Sequence, residues 1–337
     1  MTSSALKGSF ILRVWLLAIL ALSVADCSRK QNAVKLTPVT LNIAVSKTPL
    51  SAPFFIAEEK GFFAEQGITA NLLMTSSGHL CLNMLEHKEA NMGTASDYPI
   101  MMHSFQRNDF AIVATFVSSG NDVKLIARKD RITQVSDLKG KKIGTVTGAS
   151  SHFFLDRFLL FNELSLADVN VVPIKPEDMP KALADGRVDA LSVWEPNGFL
   201  THKLMGQEAL IFPSKNYYRE TFNLVFTKEY IHKHPQLIVR TLKALHHAIQ
   251  FIHQQPKQAQ QILTRKLQLD NDFISWVWQD LNFQLSLDQS LIKTLETESE
   301  WAIKNNIVKE SREIDYTRYL YLDALTKVDS SMVTVIH

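Results

Sequence analysis

The chain has 337 residues, a length that favours two lobes over one compact domain. Hydrophobic residues make up 46% of the sequence and charged residues 21%, which is ordinary for a soluble globular protein and argues against disorder or several membrane spans. The formal net charge is +2 and no block of lysine and arginine stands out, so nucleic acid is not the expected partner.

The N-terminus, residues 1–26, is typical of a secretory signal segment. Positive charges precede the apolar run "VWLLAILALSVA", which is too short to span a bilayer comfortably. The polar residues 27–38 that follow are typical of a tether. Two processing routes stay open: cleavage before Asp26, after the small residues of "SVA", or lipidation of Cys27 in "VADC", which resembles a bacterial lipobox. Both routes place the mature protein outside the cytoplasm, and lipidation would also anchor it to a membrane.

Short β-branched runs alternate with helical patterns as far as residue 227, which predicts an α/β fold with largely parallel strands. The predicted strands are 40–45, 68–74, 90–95, 111–117, 123–128, 142–146, 169–174, 189–194 and 223–227. Beyond residue 228 the sequence predicts helices alone, and Ser286 is the candidate N-cap of the last one. These helices are 234–255, 256–267, 270–285 and 287–306.

Signatures of several enzyme classes are absent from the sequence, among them G-x-S-x-G, G-x-G-x-x-G, G-x-x-x-x-G-K-[ST], H-E-x-x-H and C-x-x-C. The 11 histidines include close pairs such as His246 and His247, but neighbours on a helix do not share a face suited to one metal. Of the two cysteines, Cys27 and Cys81, the second lies in an apolar helical pattern typical of a core residue. We therefore expect no catalytic residue, no metal site and no cofactor.

Five loops rich in small polar residues follow predicted strands and open predicted helices. Ligands of parallel α/β sheets bind beyond the carboxyl ends of the strands, so these loops are the predicted ligand site. Helix N-termini expose unpaired N–H groups and the positive end of the helix dipole, which stabilise a carboxylate, sulfonate or phosphate. Serine and threonine are also ordinary N-caps, so any single loop has a purely structural explanation as well. The loops are 46–53, 75–79, 96–99, 147–152 and 194–196.

Four stretches of the sequence resemble a known family: "APFFIAEEKGFFAEQGITANLL", "ANMGTASDYP", "VSDLKGKKIGTVTGASSHFFLDRFL" and "ADGRVDALSVWEP". In order and spacing they are similar to the periplasmic substrate-binding proteins of the sulfonate, taurine and nitrate ABC importers. That group includes the pyrimidine-precursor binders of thiamine synthesis. The resemblance extends from residue 39 to the late 320s.

The resemblance implies an α/β, two-lobed periplasmic binding protein type II fold with a hinge of two crossing strands, 124–128 and 223–227. The first lobe would be residues 39–127 together with 225–337, and the second lobe residues 128–224. Ligand binding between the lobes would close the hinge.

By matching positions, the resemblance also implies which residues bind the ligand. The chain departs from the family at Ala149, where a hydroxyl that often helps to hold the anion is missing or shifted. His152 is expected to organise the loop or to pack, rather than to contact the ligand. The implied ligand-binding residues are Ser51, Ser76, Ser77, Gly78, Ser96, Asp97, Tyr98, Thr147, Gly148, Ser150, Ser151, Trp194 and Glu195.

Three of these residues keep two interpretations each. Trp194 is either a ring that stacks on the ligand or a packing residue under the cleft. An inward Glu195 favours a zwitterionic or amine-bearing ligand over bare nitrate, whereas a solvent-facing Glu195 is an ordinary first-turn helix acid. Asp97 either caps a helix or accepts a hydrogen bond from the ligand.

The hypothesis from the sequence is a monomeric, extracytoplasmic solute-binding protein of an ABC importer, with the permease and ATPase complex as partners. Its ligand would be a small anionic or zwitterionic organic molecule, sulfonate-like or taurine-like. One alternative on the same fold is a binder of a thiamine pyrimidine precursor or another heteroaromatic molecule. Another is an enzyme of the dehydratase or pyrimidine synthase type, against which the signal segment and the lack of a Cys/His cluster argue. A ligand-binding sensor that docks to a membrane receptor is a third.

Overall fold

The computed structural model describes residues 38–215, 217–309 and 312–336. The predicted signal segment 1–26, the cleavage point before Asp26, the lipidation site Cys27 and the tether up to residue 37 lie outside the described residues.

Twelve strands form two sheets in the described part of the chain. The seven-stranded sheet has the order β12-β11-β4-β10-β3-β1-β2, and the five-stranded sheet has the order β7-β6-β8-β5-β9. The strands are β1 (Val39–Ser46), β2 (Ile68–Thr75), β3 (Met92–Ser96), β4 (Phe110–Ser119), β5 (Val123–Arg128), β6 (Lys142–Thr145), β7 (Asn170–Pro173), β8 (Ala190–Trp194), β9 (Ala209–Ile211), β10 (Glu220–Thr227), β11 (Leu281–Asp288) and β12 (Val333–Thr334).

Helices cover the sheets and provide most of the segments between strands. They are α1 (Ala52–Glu59), α2 (Phe62–Glu65), α3 (Gly78–Glu86), α4 (Asp97–Ser104), α5 (Ser150–Phe161), α6 (Met179–Ala184), α7 (Asn197–Met205), α8 (Lys228–Lys233), α9 (Pro235–Gln254), α10 (Pro256–Leu267), α11 (Asn271–Trp278), α12 (Gln289–Lys304) and α13 (Asp323–Val328).

The chain passes between the two sheets twice. It leaves the first sheet after β4, enters the second at β5, and returns to the first between β9 and β10. We call residues 38–119 and 220–336 the first half, residues 123–211 the second half, and residues 120–122 and 212–219 the crossing segments. The lobe boundaries expected at 127/128 and 224/225 stay a prediction, while the strand pairing shows which residues belong to each sheet.

All of the strands predicted before residue 228 are present, because β-branched runs bounded by turn residues mark them clearly. The prediction that only helices follow residue 228 is wrong at β11 and at the short β12. In β11 the inward residues Phe283, Leu285 and Leu287 alternate with more exposed ones, the period of a strand. Ser286 therefore lies in a strand, and Asp288 is the true N-cap of α12, accepting a hydrogen bond from Leu291 N at 3.2 Å.

The hydrophobic core is most continuous around β4, whose ten residues are all buried. Strand β10, which follows the segment that returns from the second half, lies between β3 and β4 and runs antiparallel to both. Helix α4 packs against α12 on this sheet. Cys81 is buried, as its apolar pattern predicts. This packing fixes α4, α12 and the start of β10 beside one another.

Candidate ligand-binding site

Each of the five predicted loops follows a strand and opens a helix in the structure. Ser51 precedes α1, Ser77 precedes α3 and Ser96 precedes α4, all three as N-caps. The loops at Gly148 and Glu195 lead into α5 and α7 in the second half. The local geometry expected of anion-binding loops is thus present, whereas the contacts of the individual residues differ from loop to loop.

The serines in the loops after β1 and β2 differ in their contacts. Ser51 is 1% exposed and makes no side-chain cap bond, and Ser77 Oγ accepts a hydrogen bond from Leu80 N at 3.4 Å. Ser76 is exposed. A Cβ atom on Gly78 would lie 2.8 Å from the Cα atom of Ala95, so only glycine lets α3 pack this closely on β3. Capping and packing therefore account for Ser77 and Gly78.

Asp97 is fully buried and its carboxylate is occupied by protein groups. It accepts hydrogen bonds from Tyr98 N at 2.9 Å, Tyr218 Oη at 2.5 Å, and Thr221 N and Oγ1 at 2.9 and 3.1 Å. Burial raises the pKa of Asp97 to about 6, although the bonds from Tyr218 and Thr221 act in the opposite direction. Asp97 thereby ties α4 to the crossing segment that leads into β10.

An aromatic cluster joins the two halves beside Asp97. Tyr98 and Trp301 come from the first half, His152 and Phe153 from the second. The ring of Trp301 lies 5.1 Å from His152, 5.6 Å from Phe153 and 6.3 Å from Tyr98 between centroids, and Tyr218 adds its ring 5.3 Å from Phe153. Tyr98 Oη and Trp301 Nε1 are buried without a hydrogen-bond partner. Two buried polar atoms at the place where the halves meet therefore lack a hydrogen-bond partner, which is unusual in a folded protein.

The turn between β6 and α5 reaches the same junction. Gly148 has a φ of +75°, and a Cβ atom there would lie 3.3 Å from Cγ2 of Ile307 in the first half. Ala149 is the N-cap of α5, and no side chain caps this helix. The departure at Ala149 therefore leaves the first turn of α5 without the usual side-chain acceptor, and an anion stabilises such a helix end.

The hydroxyl residues of this turn have separate roles. Ser151 is fully buried; its Oγ lies 2.8 Å from Thr145 Oγ1, and its carbonyl accepts a bond from Ser192 Oγ at 2.6 Å. Thr147 is exposed and Ser150 half-buried. Ser151 thus belongs to the interior of the second half, and Ser150 is the hydroxyl placed at the helix entrance.

His152 organises the turn, as expected from the sequence. Gly148 N donates to His152 Nδ1 at 3.3 Å, and burial lowers the pKa of this histidine. The ring is therefore neutral at neutral pH, since its ordinary pKa is already near 6.5. It meets the face of Trp301 edge-on, with 87° between the ring planes.

Glu195 takes part in a buried ion pair, which neither sequence interpretation anticipated. Its carboxylate pairs with Lys124, and it accepts hydrogen bonds from Trp276 Nε1 at 2.6 Å and from Phe199 N at 2.8 Å. The Lys124 and Glu195 side chains are 2% and 4% exposed. Trp276 belongs to α11, so this bond also joins the halves. Trp194 is half-buried and packs against the core.

Several residues of the junction were missed by the sequence interpretation, among them Lys124, Tyr218, Glu220, Trp276, Glu298 and Trp301. One of them carried a signal. Glu298 occupies an inward position of α12, on the same face as Leu291 and Leu295, where an apolar residue is expected. A charged residue on an apolar helix face is a reason to look for a buried polar group.

Three further carboxyl groups are buried at the junction: Glu220 and Glu298 interact with Asp97, and Asp122 interacts with Glu195 and Glu220. Burial, and then the charge of Glu195, raise the pKa of Asp122 to about 7. Burial, and then the charge of Asp122, raise the pKa of Glu220 well above its ordinary value. Burial, and then the charge of Asp97, likewise raise the pKa of Glu298 well above its ordinary value. The junction of the halves is therefore acidic as well as aromatic.

Two features are not found in the described ranges. No helix within residues 38–215, 217–309 and 312–336 combines the length and apolarity needed to cross a membrane. In the same part of the chain, no group of three or more His, Cys, Asp or Glu side chains is arranged to hold a metal ion.

Two sheets joined by two crossings define a two-lobed α/β binding-protein fold, and solved structures agree. The periplasmic aliphatic sulphonate binding protein SsuA from Escherichia coli has a TM-score of 0.72 and 19% identity, covering 85% of this chain and 98% of that one. The desulfurization enzyme DSZB has a TM-score of 0.61 and 17% identity, covering 87% of this chain and 99% of that one. At these identities the likeness shows the fold alone. The predicted α/β type II periplasmic binding protein fold is confirmed.

The family is shown by the sequence comparison. The family described as NMT1/THI5 like matches residues 48–259, more than half of the chain, and the chain belongs to it. A Bacillus subtilis (strain 168) relative named "Putative aliphatic sulfonates-binding protein" is 27% identical over 205 residues, which are 59% of this chain and 61% of the relative. The match thus spans less than two thirds of that relative. The resemblance stated from the four sequence stretches is confirmed.

Proposed function

We propose that this protein is the extracytoplasmic solute-binding component of an ABC importer. It captures a small anionic or zwitterionic organic molecule, of the sulfonate or taurine kind, between its halves and delivers it to a permease and ATPase complex. The observation that carries the proposal is the junction itself. Residues of both halves meet there around Tyr98 Oη and Trp301 Nε1, two buried polar atoms without partners.

The expected binding chemistry follows from the groups at this junction. The anionic part of the ligand lies at the N-terminus of α5, near Gly148 and Ser150, where backbone N–H groups and the helix dipole stabilise negative charge. The rings of Trp301 and Phe153 cover the apolar part of the ligand. Because these groups come from different halves, binding closes the hinge at the crossing segments.

The remaining parts of the proposal concern the setting of the protein. It binds its ligand reversibly and does no chemistry on it, works as a monomer, and uses no cofactor. It is exported by its signal segment, and it is held to the membrane if Cys27 is lipidated or released if cleavage precedes Asp26.

A second candidate ligand is favoured by one observation, the aromatic cluster. Tyr98, Phe153 and Trp301 can stack on a heteroaromatic ring such as a thiamine pyrimidine precursor, and the unpaired Trp301 Nε1 can donate to a ring nitrogen. A pyrimidine is therefore included among the test compounds.

The test is a thermal-shift screen of the purified mature protein against alkanesulfonates, taurine, nitrate, bicarbonate and pyrimidines. A ligand at a hundred times its dissociation constant adds about 2.7 kcal/mol of stability. For a chain of this size that corresponds to a rise in Tm of roughly 5 °C. A shift with a sulfonate or taurine supports the proposal, and a shift with pyrimidines alone selects the second candidate. No shift with any compound contradicts both.

A further inference from the structure

The buried carboxyl groups at the junction have more oxygens than there are hydrogen-bond donors beside them. Tyr218 Oη lies 2.5 Å from Asp97 Oδ1 and 3.0 Å from Glu298 Oε1, and both carboxyl groups are fully buried. A tyrosine hydroxyl donates a single proton, so it satisfies one of these oxygens at a time. Asp97 has three further protein donors, so Glu298 is the group that needs a proton of its own or a donor from another molecule.

Further oxygens at this place have no partner at all. Glu298 Oε2 and Glu220 Oε2 are buried and unpaired, and Tyr98 Oη is in the same state. Glu298 and Glu220 are 0% and 4% exposed, so water does not reach them freely. Burial, and then the charge of Glu298, raise the pKa of Tyr98. Two carboxyl oxygens and one hydroxyl are thus buried without a hydrogen-bond partner.

Aromatic rings stand next to the unpaired acceptors. Tyr98 and Trp301 lie 6.3 Å apart between ring centroids, and Trp301 is on the same helix as Glu298, three residues further along. The faces of such rings attract cations. Rings and carboxylates together are the surroundings that stabilise a positively charged nitrogen.

Building on the proposed function, we propose that the site requires an ammonium group in its ligand. The ammonium donates to Glu298 Oε2 and Tyr98 Oη beside the ring of Trp301, while the anionic group lies at the N-terminus of α5. The site thus selects a zwitterion and rejects an anion of the same shape that has no positive charge.

The charge of the surrounding residues explains the selection. The nearest buried lysine, Lys124, is paired with Glu195 and bonded through it to Trp276, so it does not neutralise Glu298. A lone anion brings no positive charge that could ionise and pair with Glu298, and any carboxylate that does ionise at the junction repels it. An ammonium group on the same molecule removes that repulsion.

Proton release should accompany the binding of an ammonium ligand. Burial and Asp97 raise the pKa of Glu298, and a cation favours the ionised carboxylate. Affinity is therefore expected to increase as the pH rises through the range in which these carboxyl groups lose their protons. The titratable groups that face Glu298 are Asp97, Glu220, Tyr98, Tyr218 and Tyr316.

Isothermal titration with matched ligand pairs tests the inference on the mature protein. Taurine and isethionate differ only in an ammonium group against a hydroxyl, and choline and 3,3-dimethylbutanol differ in the charge of one centre. Taurine is expected to bind at least tenfold more tightly than isethionate, and more tightly at higher pH. Equal affinity for the two sulfonates overturns the ammonium requirement and leaves the proposed function standing. Choline is charged but has no N–H to donate, so choline binding without sulfonate binding contradicts both the donated contacts and the proposed ligand class, and no binding by any compound overturns both proposals.

Variants separate a ligand contact from a purely structural acid. Glu298→Gln is expected to weaken taurine binding at least tenfold and to leave isethionate unchanged. Glu300→Gln is the control, because Glu300 is exposed on the same helix. If Glu298→Gln does not fold, Tyr98→Phe removes the neighbouring hydroxyl and is expected to weaken taurine selectively. Equal effects on both sulfonates, or no effect on either, contradict the ammonium contact.

Discussion

Lys124→Met is expected to destabilise the unliganded protein strongly, because it leaves Glu195 as an uncompensated buried charge. Removing one member of a buried ion pair costs about 3–5 kcal/mol. The Lys124 and Glu195 side chains are 2% and 4% exposed, so solvent does not replace the lost partner. Phe199 N and Trp276 Nε1 still donate to Glu195, which places the expected loss near the lower end, about 3 kcal/mol.

Urea unfolding followed by circular dichroism measures this loss as a change in the free energy of unfolding. Lys139→Met is the matched control: Lys139 is 72% exposed and lies 3.6 Å from Asp168, so its loss should cost about 1 kcal/mol at most. The double variant Lys124→Met with Glu195→Gln should recover part of the stability, since no unpaired charge remains. A loss below 1 kcal/mol for Lys124→Met would refute the reasoning about this pair.

Three further predictions concern other features of the chain. Asp97 and Asp122 have folded-state pKa values of about 6 and about 7 against an ordinary 3.8, so between these pH values the folded protein binds more protons than the unfolded chain. The free energy of unfolding should therefore fall as the pH rises through this range. Urea unfolding that shows a rise instead contradicts the prediction. Gly148→Ala should cost about 1–2 kcal/mol, because its φ of +75° suits glycine and the new Cβ would crowd Ile307; an unchanged urea midpoint contradicts this. Palmitate labelling of the expressed protein should depend on Cys27, and unlabelled soluble protein favours cleavage before Asp26.

The strands of the first 227 residues, except the three-residue β9, could be predicted because their sequence signals are local. Val, Ile and Leu runs end in turn residues, and most of the runs are followed by a helical pattern. The signal failed at β11, where the apolar residues of α11 continue into the strand without a clear break. Phe283, Leu285 and Leu287 do alternate with polar residues, but the run is short and adjoins a helical pattern, so its period alone does not separate it from the preceding helix.

The candidate site was predictable only on one side. The loops that follow strands indicated Tyr98, Gly148 and Ser150, since strand ends and small residues are visible in sequence. Their neighbours Trp276, Glu298 and Trp301 come from the helical C-terminal part, and no local pattern shows which helix packs against which loop. The pairing of Glu195 with Lys124 also joins distant positions, β5 and the end of β8, that only the antiparallel register brings together.

The central claim is that both halves hold the ligand at once. It is tested most directly by isothermal titration of the tightest compound from the thermal-shift screen into the wild type, His152→Ala and Trp301→Phe. Trp301→Phe alters the first half of the site. His152→Ala alters the second half, because His152 organises the turn at Gly148. Each folded variant is predicted to bind at least tenfold more weakly than the wild type. Wild-type affinity in either variant would contradict a site shared between the halves.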